Sequence, residues 1–182
     1  HGEEMSGNLP EAHRLLDEAA SFMRVVYLEA EGKTQKRAGI NLAGSLAMKA
    51  HVYEHQGKVD EMLACLTEAE SLGRSLGRPD ILGPTLMSKS MAHFAKSQWS
   101  DGTKALDEAT ETFKRLGDIH WLLECYEIRA RLAFQMNRPK AALLVCMEAI
   151  ALAEKHGRVE DQCRLIVRTA LLCRRNDMEE AA

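Results

Sequence analysis

Apolar residues recur along this chain at three- and four-residue intervals, and short glycine- or proline-bearing breaks interrupt them. Near the start, Ala12, Leu15, Leu16, Ala19, Phe22, Met23 and Val26 trace one stripe of a helix. This helix is expected from about Pro10 to about Gly32. A second runs from about Gln35 to Gln56 and breaks at Gly57. A third covers about Val59 to Leu76, where Gly77 supplies a left-handed residue and Pro79 blocks continuation. The alternation goes on: Asp80 caps a helix to about Lys96, and Ser100 or Asp101 starts another that closes at Gly117. Asp118 opens the next, which breaks at Asn137. Pro139 resumes to His156-Gly157, and a further helix spans about Glu160 to Arg174. Asn176 to Ala181 read as the first turn of one more. Breaks this short force antiparallel neighbours.

The pattern repeats with a step of forty. Glu68-Ala69, Glu108-Ala109 and Glu148-Ala149 keep it, as do Gly77, Gly117 and Gly157, and Ala50, Ser90 and Ala130. Such a period marks stacked units, each burying its apolar face against the next. One match is displaced by fifty: Gly7, Leu9 and Glu11 against Gly57, Val59 and Glu61. The extra residues fall between Arg24 and Lys36 and lengthen the first hairpin. One repeat domain over 1–182 is expected, with repeats at about 35–77, 79–117 and 118–157 and partial units at 7–32 and 158–182. Because the pattern starts and stops in mid-repeat, the chain is expected to be a piece of a larger protein.

Composition narrows the function. Apolar residues make up 46% of the chain and aromatics only 5%, a mixture that suits closely packed helices rather than strands. With a net charge of −3 there is no basic excess for nucleic acid, and no apolar run is long enough for a bilayer. The five cysteines form no Cys-x-x-Cys pair. They read as free thiols in a reducing cytoplasm, so a cytoplasmic location is expected. No cofactor or catalytic set can be assembled.

Aligned on their period, the units carry a bulky residue early in the first helix (Leu46, Leu86, Tyr126, Leu165) and a small one four later (Ala50, Ser90, Ala130, Thr169). On the second helix stand Met62, Gly102 and Ala142, then Leu66, Leu106 and Cys146, then Ala69, Ala109 and Ala149. This arrangement resembles the tetratricopeptide repeat (TPR) family. The long unit and the Leu116-Gly117-Asp118 ending resemble the branch seen in kinesin light chain, the LGN/Pins adaptors and MalT-like regulators. Met62 is large for its slot. The resemblance implies an all-α, right-handed superhelix of helix hairpins (a TPR-like solenoid) with a concave groove lined by the first helix of each pair.

The groove positions implied are His51, Glu54 and His55, then Met87, Met91 and Phe94, then Glu124, Glu127, Arg131 and Phe134. They suggest a non-catalytic scaffold that binds a protein or peptide within a larger signalling or transcription-regulatory protein. The alternatives are a small-molecule or peptide sensor controlling a linked effector, and a homo-dimer formed through exposed terminal repeats. The string His51-Val52-Tyr53-Glu54-His55 also has the H-x-x-E-H form of a zinc hydrolase. That reading needs a third ligand, for which Glu124 or Glu127 are the candidates, and it is a remote one; no metal is expected. Lys49, Lys89, Arg129 and Arg168 form a periodic basic row. Within antiparallel hairpins, Lys49, Lys89 and Arg129 are expected to pair with Glu68, Glu108 and Glu148. Trp99 and Trp121 are expected to be packing anchors.

Overall fold

The computed structural model describes the backbone of residues 9–180 and the side chains of 11 and 13–171. Among these residues it is entirely helical. The helices are α1 (Leu9–Glu29), α2 (Gly32–His55), α3 (Val59–Ser75), α4 (Pro79–Ala95), α5 (Trp99–Leu116), α6 (Ile119–Gln135), α7 (Pro139–Lys155) and α8 (Val159–Glu180). The first two have 21 and 24 residues against 17 in α3 and α4, so the extra residues of the first hairpin are spent on helix. Two expectations are corrected. No residue between Arg174 and Asn176 breaks a helix, so α8 runs through to Glu180 and no new helix opens at Asn176. The cap position of α4 is Arg78, not Asp80. Pro79 already has the φ that a first turn needs, and the Asp80 carboxylate instead accepts from Arg78 Nε at 2.8 Å.

The breaks after α2 share one geometry. Gly57, Ser97 and Asn137 inside hairpins, and Gly77, Gly117 and Gly157 between them, have φ between 55° and 68°. In each case the next amide bonds a carbonyl five residues back: Lys58 to Tyr53, Gln98 to His93 and Arg138 to Ala133, all at 2.9 Å. This closes the helix with a left-handed residue and satisfies its last carbonyls.

Contacts divide the chain into two compact units, up to Thr112 and from Phe113, with the boundary in the last turns of α5; the forty-residue period does not foreshadow it. In the first unit Leu42, Leu46, Leu66 and Leu72 bury around Ala43, Ala50 and Ala69. Ala69 and Ala109 have no exposure at all, which is why their slot takes a small residue. Phe94 stacks on Trp99 with centroids 6.1 Å apart. In the second unit Leu123, Ala149, Ala153 and Leu165 form the core, and Phe113 stacks on Trp121 at 6.0 Å. Trp121 is half-buried against Phe113, whereas Trp99, expected to be a packing anchor, is 40% exposed and stacks on Phe94 from the surface. Cys65, Cys125 and Cys146 are buried thiols and Cys163 is an exposed one; the Cys173 side chain lies outside the described residues.

The first two rungs of the expected Lys/Arg–Glu ladder are not made. Glu68 is held by Arg24 through bonds of 2.9 and 2.8 Å, and Glu108 by Arg74 through bonds of 2.7 and 2.8 Å. These pairs join alternate helices of the first unit, α1 to α3 and α3 to α5, at equivalent positions of successive repeats. Lys49 pairs instead with Asp17 of α1, and Lys89 with Glu70 of α3 at 2.7 Å. Arg129 is engaged as well. The reason is reach: second-of-pair helices lie close enough for a guanidinium to take a carboxylate in a two-pronged bond.

Glu70 makes these pairs sensitive to acid. Its side chain is 16% exposed. Burial alone would raise its pKa, but hydrogen bonds from Lys89 and Arg74 outweigh burial and hold the carboxyl below the usual range. The folded pKa is therefore depressed. Its stabilisation is complete above the unfolded carboxylate value of about 4.3 and is lost as pH falls through the folded value. Urea midpoints of the wild type are expected to fall between about pH 5 and about pH 3 more steeply than those of Glu70→Gln. Parallel curves for the two proteins would mean that the carboxylate is not coupled to folding.

Candidate functional site: a cavity on α6, α7 and α8

In the second unit, α6, α7 and α8 enclose a cavity of about 350 Å³. Tyr126, Ala130 and Arg131 come from α6, Cys146 from α7, and Leu165, Arg168 and Leu171 from α8. Helical spacing puts Tyr126 and Ala130 on one face of α6, and the small slots Ala130 and Ala149 leave the room. The walls are mostly apolar, with Glu127, Arg131 and Arg168 as the charged lining residues.

Glu127 opens onto the same space with a side chain only 5% exposed. A carboxylate so buried needs a partner. It has two: Arg164, with Nη2 to Oε1 at 3.4 Å, and Arg168. Neither approach has hydrogen-bond geometry, so charge attraction holds it. Arg164 also bonds Glu124 Oε1 and Asp161 Oδ1, both at 2.8 Å, and Arg158 bonds Asp161. The network thus sets Arg158, Arg164 and Arg168 against Glu124, Glu127 and Asp161 and is balanced. Arg131 stands outside it: exposed, lining the cavity, and without an ion pair among the described residues.

The other sequence-predicted positions are placed as follows. Met87 is 9% exposed and belongs to packing. Phe94 and Met91 are half-buried, and the Phe94 ring is occupied by Trp99 and the backbone at Gly102. Phe134 is half-buried and engaged. His51, Glu54 and His55 are exposed at the end of α2. Among the described residues no group of three or more His, Cys, Asp or Glu is placed to hold a metal ion. Glu124 and Glu127, the candidate third ligands, are taken by Arg164 and Arg168, so the ligand set of a hydrolytic zinc is not assembled.

The basic row is spent too: Lys49 on Asp17, Lys89 on Glu70 and Arg168 on Glu127, with Arg129 engaged as well. A further cavity in the first unit, about 340 Å³ beside Lys89, Lys104 and Glu108, is lined by charges already paired. Among the described residues no helix is long and apolar enough to cross a membrane. Sequence reasoning missed Tyr126 and Arg168 as cavity residues. The signal was available in part, since Tyr126 is the only aromatic in the bulky slot of the first helices.

No family model and no curated protein sequence matches the chain. Solved structures do. Aspartyl phosphate phosphatase F from Bacillus subtilis superposes with a TM-score of 0.75 at 16% identity, over 97% of this chain and 45% of that one. The chain has a TPR-like repeat fold. It thus spans less than half of that phosphatase. The nearly identical TPR-like repeats of a Podospora anserina kinesin light chain give a TM-score of 0.70 at 16% identity, covering 97% of this chain and 82% of that one. BtubC from P. vanneervenii gives 0.65 at 17%, covering 97% and 76%. At these identities it is the fold that carries over. The all-helical TPR-like solenoid implied by the slots from Leu46 to Ala149 is the architecture found.

Proposed function

We propose that the chain is a non-catalytic binding module whose second unit takes a short protein segment in the α6–α8 cavity, as part of a larger regulatory protein. The observation that carries this reading is Arg131, a guanidinium with no ion pair among the described residues at the mouth of an apolar cavity. The cavity suits a segment that offers an apolar side chain to Leu165, Leu171 and Cys146 and a carboxylate to Arg131. The guanidinium fork gives such a carboxylate a two-pronged partner, and a preformed wall keeps the ordering cost of binding small. The TPR-like fold supports the reading, because stacked hairpins present side chains from several helices to one space.

Selection of a random peptide library on the whole chain tests it. Enriched sequences are expected to place Asp or Glu next to a large apolar residue. Arg131→Glu should weaken an enriched peptide about tenfold or more, with Arg131→Lys between the two; the exposed position leaves folding intact, which circular dichroism checks. Equal affinity in wild type and Arg131→Glu would reject the cavity as the site. The volume, at the small end of ligand pockets, also favours the sensor reading in second place. An isolated dipeptide that binds as tightly as the full selected peptide would support it.

A further inference from the structure

The end of α2 carries a second arrangement that neither the cavity nor the core explains. His51 and His55, one helical turn apart, face each other with Nε2 to Nε2 at 3.2 Å and ring planes inclined at 69°. On the far side of the first ring, His51 Nδ1 lies 3.2 Å from Glu54 Oε2. Both rings are exposed, so water and solutes reach them. Of the other described histidines, His13 is occupied by Asp17 and Tyr53, His93 by Gln98 and His120 by Trp121, while His156 is exposed at the end of α7 with no other histidine one turn away.

We infer that His51 and His55 form a two-imidazole clamp for a divalent transition-metal ion, with Glu54 as the positioning residue. The separation is the first reason. Two imidazole nitrogens at about 2.0–2.1 Å from one metal are about 2.9 Å apart in a right-angled arrangement and about 3.4 Å apart in a tetrahedral one. The observed 3.2 Å falls between these. The spacing therefore suits a shared ion, and each ring turns so that its Nε2 lone pair leaves the N–N line for the metal.

The second reason is the tautomer. A carboxylate accepts only, so the short approach to Glu54 requires the proton of His51 on Nδ1. That leaves the Nε2 lone pair directed at His55. In the empty clamp a proton on His55 Nε2 fills the gap; with a metal ion bound, that proton sits on His55 Nδ1 instead and the Nε2 lone pair is free for the ion. A carboxylate holding the outer nitrogen of a ligating histidine is also the usual support for such ligands and raises their basicity. The third reason is position. His55 is the last residue of α2, where the helix dipole and the terminal carbonyls favour positive charge.

The donor set selects the ion. Imidazole nitrogens suit copper, nickel and zinc, while magnesium and calcium prefer oxygen donors. Two protein ligands leave the remaining positions to water, so the clamp binds and bridges one helical turn; it lacks the three-ligand frame of a hydrolytic zinc site.

Calorimetric titration of the whole chain with Zn²⁺, and separately with Cu²⁺, tests the clamp, alongside imidazole NMR signals for the zinc-loaded protein. One equivalent is expected, with copper tighter than zinc and with the His51 and His55 signals shifting together. His51→Ala and His55→Ala should each lower affinity at least tenfold, and His120→Ala should leave it unchanged. Glu54→Gln should weaken binding about threefold with the same stoichiometry; an unchanged affinity would remove Glu54 from the clamp. Calcium should give no heat. Wild-type affinity in both His51→Ala and His55→Ala would show an adventitious ion elsewhere and overturn the assignment. So would the absence of saturable binding tighter than about 1 mM. The substituted side chains are exposed, so loss of fold does not confuse the result, and binding at Arg131 is read independently.

Discussion

Replacing Leu66 with alanine is expected to lower the unfolding free energy of the first unit by about 3–5 kcal/mol. Leu66 is 1% exposed and sits in the middle slot of its hairpin, among Leu42, Leu46, Met62 and Leu72. Truncation loses the transfer of the buried side chain and leaves a hole that stiff helix backbones cannot close. The period gives an internal comparison. The slot holds Cys146 in the second unit, 6% exposed, where Cys146→Ala removes a single sulfur and should cost about 1 kcal/mol. Urea titrations monitored by circular dichroism measure both. The two units need not melt together, so the loss should appear in the transition that also reports Trp99. A cost below about 1 kcal/mol for Leu66→Ala would mean that the slot is less tightly packed than its burial implies.

The second large effect is a change of sign. Glycine within a helix ordinarily costs about 1 kcal/mol relative to alanine, so Gly102→Ala in α5 ought to stabilise. It is expected to destabilise by about 1–3 kcal/mol. A Cβ on Gly102 would stand 2.3 Å from Phe94 Cε1 and 2.4 Å from Cδ1. Moving the ring aside gives up its stacking on Trp99. In a Phe94→Ala background the obstruction is gone, and the same substitution should then stabilise by about 0.5–1 kcal/mol. Measuring the four corners of this double-mutant cycle decides the matter. The same sign in both backgrounds would show that Phe94 is not what the glycine accommodates.

These two cases also show what was legible beforehand. Leu66, Leu106 and Cys146 could be assigned to one slot from spacing alone, because burial on a helix follows a local period. Gly102 could be seen to occupy a slot that takes Met62 in one unit and Ala142 in another. Its partner could not be read, because Phe94 lies on the facing helix and the distance across a hairpin depends on both side chains. The cavity was half legible. Arg131 and Glu127 were among the implied groove positions, but they occupy different roles: one pairs with nothing described, while the other is buried against two arginines. Met87 and Phe94 looked like groove residues by the same rule and were claimed by packing instead, since an apolar side chain near a helix crossing gains more from contact than from exposure.

By itself the sequence determined the helices, the breaks between them as far as α8 and their equivalence. Each of these depends on signals a few residues long: the apolar stripe, the left-handed residue at Gly57, Gly77 or Asn137, and the small residue where helices cross. Only the tertiary structure decided which charges meet, which way the His51 and His55 rings turn, and where the chain divides into two units. Long side chains such as Arg24 and Arg74 can reach several carboxylates. The choice among them is set by the rotation and spacing of helices distant in sequence, and no local period encodes that.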